Sequence, residues 1–172
     1  IRKYAREQLG KELSEEEAQR MYDVKAHYFH EMPEAKIFDG VLDLMQKIKR
    51  SGMKIGIVTG SAQRPLIERV THDFADFITR DQVTTAFDVK RGKPNPDPYL
   101  MGLKKAGNYS PSEGIVVENA PLGVRAGVAA GCFTVAINSG PLPDAALLDE
   151  GANLLFPTIL EFADKWELLL YH

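Results

Sequence analysis

Three groups of polar residues follow predicted strands, and their residue types suit the binding of phosphate and of a metal ion. The first group is Thr59–Gly60–Ser61, directly after the apolar segment KIGIV. Where a strand turns into a helix, hydroxyls, free backbone N–H groups and a glycine that permits close approach can surround an anion. The same residues are compatible with simple capping of the next helix by Ser61. Taken alone, the group therefore supports both interpretations equally.

The second group is Lys93, which lies in the segment RGKPNPDP. Its neighbours Gly92 and Pro94 indicate a fixed turn, so we expect this lysine to be held in place. A fixed ammonium beside a phosphate balances its charge and orients an oxyanion. The alternative is an ordinary solvated loop lysine, which is how we interpret the nearby Lys90 and Arg91.

The third group, Glu118–Asn119, ends the apolar segment GIVVE. Carboxylate and amide oxygens are hard ligands of the kind that magnesium prefers, with water completing its octahedral shell. The alternative makes Asn119 the N-cap of a helix that starts at Pro121, and Glu118 an ordinary charge near that helix terminus. Because the three groups occur at successive strand ends, together they predict one site for a phosphate and a magnesium ion.

The elements that position these groups are helices and short apolar strands that alternate from Gly40 onward. Apolar runs predict strands at MKIGIVT, VTTAFD, GIVVE, CFTVAI and LLF, with amphipathic helices between them. Ser14 and Glu17 have the spacing of a capping box for a helix that runs to about Glu31. The alternation predicts an α/β fold with a three-layer, Rossmann-like core and a mostly parallel sheet. Such sheets bind ligands outside the carboxyl ends of their strands.

Composition and charge argue against several other classes of function. The 172 residues carry a formal charge of -3 with no basic stripe, which disfavours nucleic-acid binding. Apolar runs such as Leu168–Leu170 are far too short to span a bilayer. The single cysteine, Cys132, has no partner for a disulfide or a zinc site, so we predict a packing role for it and a cytoplasmic location for the protein. A monomer is favoured.

Three segments resemble the motifs of a known family. VTGS, GKPNPDPY and VVENAPLGVRAG are similar to the second, third and fourth motifs of the haloacid dehalogenase superfamily, in its β-phosphoglucomutase-like branch with a helical cap. The resemblance covers about residues 10–170. It implies an enzyme, a phosphatase or phosphomutase, that uses Mg²⁺ and an aspartyl-phosphate to transfer the phosphoryl group of a small phosphorylated metabolite.

The resemblance also implies roles for the first two groups. Thr59 and Gly60, with Ser61 beside them, would bind the phosphate. Lys93 would balance the charge of that phosphate. Thr59 and Lys93 would then be the catalytic residues that this chain itself contains.

For the metal, the resemblance makes Asn119 a magnesium ligand and places Glu118 against the metal or a water bound to it. Most relatives carry aspartate where this chain has Asn119, and an amide keeps the oxygen but removes one negative charge. We expect weaker metal affinity and less repulsion of a highly charged substrate. Some similar members of the branch hydrolyse pyrophosphate, so an inorganic pyrophosphatase is the alternative enzyme.

The resemblance divides the chain near residue 37. Residues 1–36 correspond to the C-terminal half of a helical cap, and residues 37–172 to an α/β core that lacks its first strand. In the family, that strand lies between those predicted at KIGIVT and GIVVE, and its D-x-D motif supplies the nucleophilic and the acid–base aspartates. We find no such segment before residue 37, so we expect the isolated chain to be inactive and poorly folded. The alternative to an enzyme, from a different class of function, is a non-catalytic phosphate-binding module.

The cap is expected to select the substrate. Tyr22 and Lys25 lie three residues apart on one face of the helix after Ser14, from which they could reach a phosphate or leaving group. Display on the surface is the more ordinary role for such residues. Met21 stands where mutase relatives carry a lysine, which weakens an assignment as a sugar-phosphate mutase.

Overall fold

The chain divides into two compact units, Ile1–Ile37 and Phe38–His172. The computed structural model describes residues 5–6, 10–31 and 36–170, and at residues 29 and 30 it describes the backbone alone. None of the helices within these ranges is long and apolar enough to cross a membrane.

The first unit carries helix α1, which spans Glu15–Glu31. The Ser14 N–H donates to Glu17 Oε2 at 2.9 Å, and the Glu17 N–H donates to Ser14 Oγ at 3.2 Å. These reciprocal hydrogen bonds satisfy backbone donors that the first turn of a helix leaves unpaired. The predicted capping box and the predicted end of its helix are therefore confirmed.

The second unit alternates helices with parallel strands, which confirms the predicted α/β class. Its strands are β1 (Ile57–Val58), β2 (Val83–Thr84), β3 (Ile115–Glu118), β4 (Phe133–Ile137) and β5 (Leu154–Phe156). Its helices are α2 (Val41–Arg50), α3 (Arg64–Asp73), α4 (Asp97–Gly107), α5 (Pro121–Ala129), α6 (Ala145–Leu148) and α7 (Ile159–Leu170). Short 3₁₀ turns span Arg80–Gln82 and Pro111–Glu113.

The strands form two parallel sheets where the sequence predicted one. Strand β1 pairs with β2, and β4 lies between β3 and β5 in the other sheet. Within the described ranges, β1 and β3 do not pair with each other. The segment MKIGIVT forms a strand at Ile57–Val58 alone, where it pairs with Val83 and Thr84 of β2.

A cavity of about 640 Å³ is lined by residues of both β1 and β3. On β3, Ile115 and Val117 are 37% and 38% exposed, whereas Val116, which points to the opposite face, is 6% exposed. The apolar segment GIVVE is thus buried on one face only. The apolar side chains of the other face border open space.

Helices α2 and α7 pack together on one face of the three-stranded sheet. Phe162 and Trp166 of α7 pack with Val135 of β4. The ring centroids of Phe162 and Trp166 are 6.0 Å apart. At Gly40, whose φ is +89°, an added Cβ would overlap the backbone of Leu160. A glycine is therefore required where the start of α2 approaches α7.

Helix α4 packs against residues of both sheets. Tyr99 of α4 shares a buried cluster with Val116 of β3 and Ala126 of α5, and Val58 of β1 packs against the same cluster. An added Cβ at Gly102 would come within 2.9 Å of Val58 Cγ2, so α4 lies directly on β1. Because α4 touches both β1 and β3, it supports the two sheets relative to each other.

A polar link joins α4 to the segment that follows β2. Lys105 Nζ donates to Val83 O and to Asp88 Oδ1, both at 2.8 Å. Asp88 Oδ2 accepts the N–H and the hydroxyl of Thr85 at 2.7 and 2.8 Å. Burial by itself would raise the pKa of Asp88, but the hydrogen bonds and charge of Lys105 and the hydrogen bonds of Thr85 outweigh it. They lower the pKa of Asp88 from 3.8 to about 2.

We expect Asp88→Asn to lower the free energy of unfolding by about 2 kcal/mol at neutral pH, since one pKa unit corresponds to about 1.4 kcal/mol. A carboxyl with a depressed folded-state pKa contributes stability above its unfolded pKa. That contribution is lost as the pH falls from about 4 to about 2. Urea unfolding of the wild type and Asp88→Asn across this range measures the effect. The exposed Asp76→Asn is the control, and a difference that persists unchanged to pH 2 would contradict the assignment.

Candidate functional site

The side chain of Lys93 joins the carboxyl ends of β1 and β3. Its Nζ donates to Val58 O, at the end of β1, at 3.3 Å, and it forms an ion pair with Glu118 Oε1 at the end of β3. Thr59 and Asn119 directly follow these two strand ends. The structure therefore brings the three predicted groups together at one edge of the two sheets, the edge at which α/β proteins bind ligands.

The loop that carries Lys93 is fixed by contacts on both sides of it. Arg91 makes a bidentate ion pair with Asp97 in the first turn of α4, at 3.0 and 2.7 Å. The backbone N–H and side-chain amide of Asn95 both donate to Gly92 O at 3.0 Å. The Lys93 side chain is 20% exposed, as expected for a lysine held in place. Arg91 is 64% exposed, which agrees with its interpretation as a solvated loop residue, and it is also ion-paired.

The Glu118 carboxylate is hydrogen-bonded on both oxygens. Oε1 accepts from Lys93 and from the Tyr99 hydroxyl, the latter at 2.5 Å. Oε2 accepts the backbone N–H groups of Asn119 and Ala120, at 3.1 and 3.3 Å, just before α5. A helix N-terminus and an ammonium both stabilise a carboxylate, so these contacts hold Glu118 facing Lys93.

The turn after β1 is built from two hydrogen bonds between hydroxyls and the backbone. Thr59 Oγ1 accepts the Ser61 N–H, and Ser61 Oγ accepts the Gln63 N–H, each at 3.1 Å. Helix α3 begins at Arg64 with Gln63 as its N-cap, so the alternative in which Ser61 caps the helix is wrong. An added Cβ at Gly60 would meet no atom of the described residues within 4 Å, which leaves open space beside the turn.

Comparison with known proteins identifies the family. Residues 2–137 match the family described as haloacid dehalogenase-like hydrolase. The chain belongs to this family. The resemblance inferred from VTGS, GKPNPDPY and VVENAPLGVRAG is thereby confirmed.

Relatives within the family include phosphatases and a mutase-like structure. Hexitol phosphatase A from Escherichia coli (strain K12) is 41% identical over 100 residues, which are 58% of this chain and 45% of the relative. Phosphorylated carbohydrates phosphatase from Thermotoga maritima is 30% identical over 142 residues, 79% of this chain and 62% of the relative. The solved structure named "Putative beta-phosphoglucomutase" from Bacteroides vulgatus matches with a TM-score of 0.89 and 47% identity, covering 99% of this chain and 68% of that chain. The chain spans about half the length of the first curated relatives.

The oxygen donors at the end of β3 suit part of a magnesium shell. Asn119 is exposed and the N-cap of α5 is Ala120, so the alternative role of Asn119 as the N-cap is wrong. Both oxygens of Glu118 already accept hydrogen bonds. Residues 5–6, 10–31 and 36–170 contain no group of three or more His, Cys, Asp or Glu side chains that could hold a metal ion by themselves. Magnesium commonly takes one or two protein ligands, with water and substrate phosphate completing its shell. The donor types therefore fit magnesium, and the Asn119 amide is the exposed oxygen donor among them.

Tyr99 is a site residue that the sequence analysis missed. Its hydroxyl donates to Glu118, and the Lys93 ammonium lies 4.9 Å from the centroid of its ring. Burial and the Glu118 charge raise the pKa of the Tyr99 phenol far above its usual value, so the phenol is protonated at neutral pH. The available signal was its position at the end of GKPNPDPY. Helical periodicity alone would have indicated only a buried face.

Tyr22 and Lys25, the predicted cap contacts, lie on α1 in the first unit, and both side chains are exposed. Met21 on the same helix is also 44% exposed. Exposure agrees equally with surface display and with a role in substrate contact. The role of Tyr22 and Lys25 stays a prediction.

We expect Gly60→Ala to leave the fold intact but to reduce kcat/KM for a phosphorylated substrate by up to about a hundredfold. The added methyl meets open space in the protein, so it would interfere only with a ligand that lies against the turn. Phosphate-release kinetics and the unfolding temperature of the full-length protein measure the two effects. Gly140→Ala is the matched control, because a Cβ there also has no neighbour among the described residues within 4 Å. Equal kinetics for both variants would argue against close approach of a phosphate at Gly60.

Proposed function

We propose that the protein carrying this chain is a magnesium-dependent phosphohydrolase that acts on small phosphorylated sugars or polyols through an aspartyl-phosphate. The observation that carries this proposal is the position of Lys93, whose ammonium is bound to the ends of both β1 and β3. A fixed cation between an anion-binding turn and hard oxygen ligands suits the transfer of a phosphoryl group.

Each group has a distinct role in the proposed reaction. Thr59 Oγ1 accepts the Ser61 N–H, which leaves the Thr59 O–H to donate to a phosphate oxygen. The exposed backbone at Gly60 permits close approach of that phosphate. Lys93 balances the charge on the phosphate oxygens, and Asn119 contributes an oxygen ligand to magnesium. When bound, magnesium would neutralise further charge at the phosphate.

We also propose that the nucleophilic aspartate lies at the end of an additional strand between β1 and β3. The cavity bordered by these strands and the exposed apolar side chains of Ile115 and Val117 support this position. A parallel strand there would end beside Lys93. Its aspartate would attack phosphorus in line, and the second aspartate of a D-x-D motif would protonate the leaving oxygen. Water would then hydrolyse the aspartyl-phosphate.

The names of the relatives support a carbohydrate substrate. Two curated relatives are named for the dephosphorylation of hexitols and of phosphorylated carbohydrates. The second candidate is a phosphomutase, favoured by the identity of 47% with the Bacteroides vulgatus protein. The two functions differ in the group that accepts the phosphoryl: water in a phosphatase, and a sugar hydroxyl in a mutase. A monomeric state and a cytoplasmic location remain predictions from composition.

A phosphate-release screen of the full-length protein with hexitol, hexose and glycerol phosphates, pyrophosphate and nucleotides tests the proposal. We expect magnesium-dependent release from sugar or polyol phosphates, and Lys93→Met to reduce kcat/KM by about a hundredfold or more. Lys90→Met, at an exposed lysine of the same loop, is the matched control and should change it less than twofold. Isomerised sugar phosphate without release would identify the mutase. Absence of both products from every substrate would reject the enzyme in favour of a binding module.

We expect Asn119→Asp to lower the Mg²⁺ concentration that gives half-maximal activity, because a carboxylate adds a negative charge to the oxygen ligand. Asn119→Ala removes the oxygen and should raise that concentration. Magnesium titrations of activity at saturating substrate measure both changes. Identical magnesium dependence in the wild type and the two variants would exclude Asn119 as a ligand.

A further inference from the structure

We propose that Tyr99 is a positioning residue, which fixes the Glu118 carboxylate and, through it, the Lys93 ammonium. The inference rests on the proposed function, since it concerns how the same site is kept in a productive arrangement. Tyr99 lies in the first turns of α4, and its hydroxyl donates to Glu118 Oε1 at 2.5 Å. The same oxygen pairs with Lys93.

The contacts of Glu118 leave its carboxylate one orientation. An ionised carboxylate has about four lone-pair positions. Here Oε1 receives Tyr99 and Lys93, and Oε2 receives the N–H groups of Asn119 and Ala120. The two N–H groups lie on the backbone next to Glu118 and fix one oxygen. The other oxygen is held by two side chains, of which Lys93 is long and flexible, whereas Tyr99 is not.

Tyr99 is rigid because its ring is part of the core. It is 7% exposed and belongs to a cluster with Val116, Ala126 and Cys132. The Lys93 ammonium lies 4.9 Å from the centroid of the same ring, within the range of a cation–π interaction. The ring face thus contacts the cation while the hydroxyl contacts its anionic partner. A single side chain therefore fixes both members of the ion pair.

The start of α5 makes room for this orientation of Glu118. A Cβ added at Gly123 would overlap the Glu118 carboxylate group. Because φ at Gly123 is not positive, its backbone conformation does not itself require glycine. The small residue instead accommodates the carboxylate directly against the first turn of the helix. The arrangement around Glu118 is thus supported from α4 and from α5 independently.

Loss of the Tyr99 hydroxyl would leave Oε1 of Glu118 held by Lys93 alone, without removing any charge. We expect Lys93 to lose its fixed partner and the end of β3 beside Asn119 to become less ordered. Removal of residues that orient ligands in this way commonly reduces activity or metal affinity by about 10- to 100-fold. Substrate binding by the turn at Thr59 would be affected much less, so the effect should fall on kcat.

The test compares Tyr99→Phe with Tyr109→Phe in the full-length protein. Tyr109 is 39% exposed and borders the cavity, but it precedes β3, at the opposite end of that strand from Glu118, so its variant should have wild-type kinetics. For Tyr99→Phe, which retains the buried ring, we expect kcat to fall about 10- to 100-fold and KM to stay within about twofold. If Tyr99 acts through Glu118, the double variant Tyr99→Phe/Glu118→Gln should be no slower than Glu118→Gln alone. Wild-type kcat in Tyr99→Phe, or additive losses in the double variant, would overturn the inference.

A crystal structure of Tyr99→Phe without metal or substrate separates this inference from the proposed function. If the wild type releases no phosphate from any substrate, the proposed function fails, and the structure still decides the role of Tyr99. A Glu118 carboxylate that has rotated away from Lys93 in the variant supports positioning by the hydroxyl. A carboxylate and ammonium left in their wild-type places would overturn it. The Tyr109→Phe structure controls for differences caused by crystal packing.

Discussion

One ion pair joins two parallel sheets that share no strand in the described part of the chain. The side chains of Lys93 and Glu118 are only 20% and 10% exposed, so each has lost much of its hydration and depends on the other for compensation. Breaking a buried pair by removing one partner commonly costs on the order of 3–5 kcal/mol, because the remaining charge stays buried. Lys93 also binds Val58 O at the end of β1. The spacing of the two strand ends and the position of the cation thus depend on the same ammonium group.

The features that could be predicted from the sequence are those that short segments encode. The Ser14 and Glu17 capping box depends on side chains three residues apart, and both of its hydrogen bonds are present. Apolar runs located every described strand, because burial in a parallel sheet requires them. The convergence of Lys93 with the ends of β1 and β3 followed from the rule that parallel strands direct their carboxyl ends to one edge. Family membership followed from motifs of the same local kind.

The features that could not be predicted depend on residues far apart in the chain. The length of β1 matches the two residues of β2 with which it pairs, and no pattern within MKIGIVT reports how far a partner strand extends. Tyr99 and Glu118 are 19 residues apart, and their hydrogen bond exists only after α4 has packed onto β3. The N-cap alternatives for Ser61 and Asn119 were locally reasonable. They failed because the helices begin at Arg64 and Pro121, with Gln63 and Ala120 as their N-caps.

The fit between Gly123 and the Glu118 carboxylate has a consequence for how such a sequence can diverge. A side chain at position 123 would displace the carboxylate at position 118 from its present place unless that carboxylate had first been shortened or lost, since the two would occupy the same space. We therefore expect substitutions at the two positions to be epistatic, so that their effects depend on the order in which they occur. An acidic side chain at the end of a strand thus restricts which residues can replace Gly123 in the first turn of the next helix. The restriction applies although the glycine itself has no side chain that could contact a ligand.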